Sequence, residues 1–142
     1  MKKTLTAILA AVLVIAAIFT LVSCNTIPAE GLWEKATYRS DRSFGDGAKT
    51  FTLTVEVGEY SVVFTVNTDK ETLDEALLEH KLIAGENTQY GLTLITVNGI
   101  DAVWDTDNAY WAIYIGDDYA TTGISEIAVE NGASYKFTYT KI

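Results

Sequence analysis

Residues 50–67 read TFTLTVEVGEYSVVFTVN, and the fold turns on their spacing. Phe51, Leu53, Val55 and Val57 alternate with Thr52, Thr54 and Glu56. A period of two gives a strand one apolar and one polar face, the signature of half-burial. Gly58-Glu59 has the length and composition of a two-residue turn, and Tyr60, Val62, Phe64 and Val66 resume the alternation. The stretch predicts a β-hairpin.

Downstream the period changes. Thr72 followed by Glu75 has the capping-box spacing, and Leu73, Ala76, Leu77 and Leu82 share one helical face, so an amphipathic helix is expected to end before Gly85. Leu92 to Val97 reads as a strand, Asn98-Gly99 as a tight turn, and Ala109 to Ile115 as a strand rich in aromatic and β-branched residues. After the Asn131-Gly132 turn, Tyr135, Phe137 and Tyr139 alternate with polar residues. The order β-β-α-β-β-β predicts an α+β class, as a β-grasp-like single domain over 50–142 with about five strands in one mixed sheet and one helix on one face.

Upstream, Lys2 and Lys3 precede an unbroken apolar run from Ala7 to Phe19, and Leu21-Val22-Ser23-Cys24 follows. This is the layout of a secretory signal over 1–23. Its last four residues resemble the bacterial lipobox, which implies that Cys24 is lipidated and becomes the new N-terminus. Two acyl chains anchor a protein stably where one does not. The alternative is an uncleaved single-span anchor, which leaves the placement of the lone cysteine unexplained. Both readings predict an extracytoplasmic, membrane-attached protein, lipid-anchored to the bacterial cell membrane on the first. Residues 24–49 lack periodicity and are expected to form the lipidated N-terminus and a flexible tether. Trp33, Tyr38 and Phe44 are the exceptions, suited to packing on the domain or settling at a lipid interface.

Composition excludes several classes. The 142 residues hold 1 His and 1 Cys, too few for a disulfide framework, a Cys-rich zinc site or a Ser/His/Asp or Cys/His constellation, so a non-enzyme is expected. The formal charge is −9, and without Lys2 and Lys3 the remainder carries 8 basic against 19 acidic residues, −11. Such a field repels phosphates, so no nucleic-acid partner is expected. His80, near the helix end, reads as a surface residue. Asp105, Asp107 and Asn108 have alternating carboxylate spacing, but the positions where a calcium loop needs Gly and Glu hold Tyr110 and Gly116, so no metal site is predicted.

On the 109–115 strand, Trp111, Ile113 and Ile115 point one way and Tyr110, Ala112 and Tyr114 the other. The helix needs the apolar set, which leaves Tyr110 and Tyr114 displayed, with Ala112 as a shallow floor. That arrangement suits stacking on a planar ligand or a partner surface, or else cross-strand pairing within the sheet. Trp104, in the expected loop Asp101 to Asn108, needs a burial partner or a ligand.

The ordered set Tyr90-Gly91-Leu92, Val97-Asn98-Gly99-Ile100, Tyr110-Trp111-Ala112-Ile113-Tyr114, Gly123-Ile124 and the Tyr135 to Tyr139 strand resembles the transcobalamin-like C-terminal domain family. The resemblance covers roughly residues 50–142. It implies a ligand-binding module, with cobalamin or a related corrinoid as the ligand. In the animal cobalamin carriers a helical barrel supplies the other half of the grip, which here would fall to a partner chain or a dimer mate. Candidate ligand-binding residues are Tyr90, Asn98, Trp104, Tyr110 and Tyr114. Asn98-Gly99 reads first as a type I′ turn, since the positive φ explains the glycine. The alternative function is a cell-surface module that docks another envelope protein through the aromatic face or a sheet edge.

Overall fold

The computed structural model describes residues 29–142; the expected signal segment and Cys24 lie outside the described residues. The hairpin forms as its period requires. Strand β2 (Lys49–Val57) pairs antiparallel with β3 (Tyr60–Thr68) from Lys49↔Thr68 to Val57↔Tyr60, around Gly58 at φ 59. Phe51, Leu53, Val55, Val57, Val62, Phe64 and Val66 are each 1% exposed or less. At about 1.5–3 kcal/mol per fully buried large apolar side chain, this face is the main source of stability in the hairpin.

Before the hairpin come helix α1 (Ala29–Trp33) and strand β1 (Arg42–Phe44); after it come α2 (Leu73–Glu79), β4 (Ile83–Thr88), β5 (Gly91–Val97), β6 (Ile100–Asp101), α3 (Trp104–Asp107), β7 (Ala109–Ile115), β8 (Asp118–Tyr119), a 3-10 turn (Ile124–Glu126) and β9 (Ser134–Lys141). Six strands form a mixed sheet in the order β1-β3-β2-β9-β7-β8, with β1/β3 and β2/β9 parallel. Strands β4-β5-β6 form a second sheet. The class is α+β. The expected single sheet is corrected: Leu92 to Val97 belongs to the separate small sheet, because its pairing partner is β4, a strand the sequence reading did not foresee. Ala84 to Thr88 are all exposed, so β4 carries no alternating burial to betray it.

The inner face of the large sheet is covered by α2 through Leu73, Ala76 and Leu77, by the small sheet through Val97 and Ile100, and by the N-terminal segment. The expected capping box does not form. The Thr72 hydroxyl donates to Asp74 Oδ1 at 2.6 Å instead, and the same carboxylate oxygen accepts the Glu75 N–H at 2.8 Å. The expected loop Asp101 to Asn108 contains α3, and Asn108 closes it in the left-handed region at φ 49.

From Ala29 on, the expected tether is docked. Trp33 stacks on Tyr60 with ring centroids 5.7 Å apart, and Tyr38, Phe44 and Phe64 form an edge-to-face cluster at 5.4–5.9 Å. Asp41 accepts the Val63 N–H, and β1 adds a parallel edge strand. Asn98 holds this segment from 60 residues away: its amide donates to the Tyr38 carbonyl at 2.8 Å and accepts the Tyr38 N–H at 2.9 Å. Gly99 permits the approach, since a Cβ there would sit 2.6 Å from Thr37 Oγ1, at φ +81.

Candidate functional site

Trp111 joins the two sheets. Its indole N–H is shared between the carbonyls of Ile95, at 3.1 Å, and Ile100, at 3.3 Å. Past that junction β5 and β7 lack strand partners on their facing sides. β6 pairs with β5 only at Thr96 and Val97, and β8 with β7 only at Tyr114 and Ile115. A cleft of about 520 Å³ lies between them, within the range of small-molecule sites. Leu92, Leu94, Trp111, Ile113 and Ile124 give it apolar walls; Thr88, Thr93, Thr121 and Thr122 add hydroxyls, and Tyr90, Tyr110 and Glu126 also line it.

The 3-10 turn forms one wall and is pinned at Ser125. The Ser125 hydroxyl accepts the Leu92 N–H at 2.9 Å and donates to Asp74 Oδ2 at 2.6 Å, tying β5 to α2. Partial burial pushes the Asp74 carboxyl pKa up, but hydrogen bonds from Ser125, Thr72 and the main chain outweigh it and hold the group below 3.8. Gly91 makes the approach feasible: it has φ +103, and a Cβ would lie 2.8 Å from Ser125 Cβ and Oγ.

A second feature lies on the open face of the large sheet. Tyr110 and Tyr114 occupy the face opposite Trp111, as alternation requires. Trp104 packs on Tyr110 with centroids 5.8 Å apart, and Tyr119 meets Tyr114 edge-on at 5.5 Å. The Lys136 ammonium sits 4.8 Å above the Tyr114 ring. Trp104 and Tyr119 are 59% and 55% exposed. Desolvation, then the neighbouring Tyr110 and Tyr114, raises the Tyr119 pKa.

The predicted site residues therefore separate. Tyr90 stands 82% exposed beside the cleft, and Tyr110 contributes to both the cleft and the aromatic row. Tyr114 and Trp104 belong to the row alone among these two features. Asn98 is buried, with its amide spent on Tyr38, its N–H on Leu82 and its carbonyl on Thr37, which makes it a structural residue. Sequence reasoning missed Leu94, Ile113, Thr93 and Glu126 as lining residues. No local pattern marks them, since an open edge exists only by reference to strands that fail to arrive.

His80 is not the surface residue expected. Its ring packs on Phe44 with centroids 5.6 Å apart, and its Nε2 is buried without a hydrogen-bond partner, 3.9 Å from the Glu79 carboxylate. It lines a separate pocket of about 340 Å³ with Asn67, Lys70 and the 45–47 turn. Among the described residues no group of three or more His, Cys, Asp or Glu is placed to hold a metal ion, and no helix is long and apolar enough to cross a membrane.

No family model matches the chain, and no curated protein is similar to it. Several solved structures are similar to it, two of them as follows. One, from Ruminococcus gnavus ATCC 29149 and named as a candidate metal binding protein, is 28% identical with a TM-score of 0.61, covering 67% of this chain and 99% of its own. The other is haptocorrin in complex with Cbi, 20% identical with a TM-score of 0.50, covering 69% of this chain and 26% of its own. The second likeness is one of fold.

Proposed function

We propose that this chain is a non-catalytic ligand-binding module of an extracytoplasmic lipoprotein, and that the cleft between β5 and β7 is where it takes a corrinoid. The observation that carries this reading is the cleft itself: a preformed concavity between two sheets in which the apolar side chains of Leu92, Leu94, Trp111, Ile113 and Ile124 are interspersed with threonine and tyrosine hydroxyls and one carboxylate. The likeness to haptocorrin covers 26% of that protein, which was solved in complex with Cbi, and this supports a corrinoid over other ligands of that size. The strand order, with the hairpin strand β2 parallel to the last strand β9 at the sheet centre, supports the β-grasp description and the tie to the transcobalamin-like family. The lipobox-like Leu21-Val22-Ser23-Cys24 supports the lipid anchor at Cys24. Metal binding is not carried over from the Ruminococcus protein, because the described residues offer no ligand set for it.

Calorimetric titration of the purified full-length protein in mild detergent tests the reading. Saturable binding of cobinamide or cobalamin is expected below about 10 μM, roughly −7 kcal/mol. Thr93→Trp, which places a large ring in the cleft from an exposed position, is expected to abolish it. No heat with either corrinoid ends the corrinoid reading.

A second reading rests on the aromatic row. Rings as exposed as Trp104 and Tyr119 on one sheet face suit docking another envelope protein. Trp104→Ala with Tyr119→Ala would then remove the partner while leaving corrinoid binding intact.

A further inference from the structure

The open strand edges give the cleft a hydrogen-bonding pattern of its own. In an antiparallel ladder the N–H and C=O of one residue point to the same side, and successive residues alternate. On β5 the Leu92 N–H points away from β4, since Ser125 accepts it at 2.9 Å. The main chain of Leu94, two residues on and still ahead of the irregularity, points the same way. On β7 the Ile113 carbonyl points away from β9 to accept the Ala120 N–H at 2.8 Å, so the main chain of Trp111 points outward too. Among the described residues neither Leu94 nor Trp111 has a strand partner on that side, and both line the cleft.

Each wall thus presents a donor and an acceptor. A carboxamide, which also carries both, satisfies such a pair; a carboxylate accepts only and would leave the carbonyls facing negative charge. Charge points the same way. Glu126 is the one carboxylate in the lining, no Lys, Arg or His accompanies it, and the chain carries −9 overall. We propose that the cleft selects uncharged ligands bearing carboxamide groups, which the main-chain groups of Leu94 and Trp111 read, and that Glu126 turns carboxylates away. This rests on the cleft being the binding site assigned above, and it names the chemistry that site recognises.

Two measurements on the full-length protein in detergent separate this selectivity from the corrinoid reading. In the first, amide resonances are followed while N-methylacetamide or acetate is added. N-methylacetamide is expected to shift the main-chain N–H signals of Leu94 and Trp111, and acetate to leave them in place; equal shifts with both, or none with either, overturn the selectivity. In the second, cobinamide is compared with the polycarboxylate made by hydrolysing its amides. The acid is expected to bind at least about tenfold more weakly, and Glu126→Gln to narrow that gap by about threefold. Equal binding of the two corrinoids overturns the selectivity and leaves the corrinoid reading standing. Failure of both to bind, with the amide probe still picking out Leu94 and Trp111, does the reverse.

Discussion

Trp111 is 5% exposed, meets Tyr139 edge-on at 5.5 Å and donates its indole N–H to two carbonyls of the neighbouring sheet. Truncating it removes core volume and the junction between sheets together. Trp111→Ala is expected to cost about 3–5 kcal/mol in urea denaturation, whereas Tyr114→Ala, on the half-exposed opposite face, is expected to cost about 1 kcal/mol or less. A reversal of that order would mean that the facing of β7 is inverted. The facing of Trp111 against the two tyrosines was legible because alternation is a property of a single strand. Burial along the strand was not: the expected open floor at Ala112 is 2% exposed and the expected core residue Ile115 is 41% exposed, because burial depends on what packs beside the strand. Nor was the role of Asn98: an Asn-Gly pair announces a turn, but its amide is consumed by Tyr38, 60 residues away, and no spacing rule reaches that far.

At the scale of elements, α2 was found by period and misread at its cap. The Thr72 to Glu75 spacing fits a capping box, yet Asp74 outcompetes it, because its carboxylate can gather Thr72, Ser125 and a main-chain N–H at once. That carboxyl is held below 3.8, so it stabilises the fold in its ionised form. The contribution is full above the unfolded value and is lost as pH falls through the lower folded value. The difference in denaturation midpoint between the wild type and Asp74→Asn should therefore stay constant down to about pH 5 and close as pH falls below about 4. A difference that widens in acid would show that the hydrogen bonds do not favour the charged form.

Over the whole molecule, the N-terminal segment 29–48 is part of the domain rather than a lead to it. It covers Phe64 with Tyr38 and Phe44, supplies the edge strand β1 and uses Asn98 as its anchor. A chain beginning at Lys49 is expected to melt roughly 10–20 °C below one beginning at Ala29, the equivalent of about 3 kcal/mol for a domain of this size. Equal melting temperatures would show that the docked segment adds nothing. The sequence by itself determined the hairpin with its polar and apolar faces, the helix between strands and the net negative charge. These follow from side-chain periodicity and charge, which are written residue by residue along the chain. The tertiary structure alone decided that the small sheet separates from the large one, that β5 and β7 leave a cleft between unpartnered edges, and that Asn98 and His80 turn inward. Each of those depends on which distant segment arrives beside which, and on the hydrogen bonds and buried area exchanged when it does, quantities that no single stretch of sequence contains.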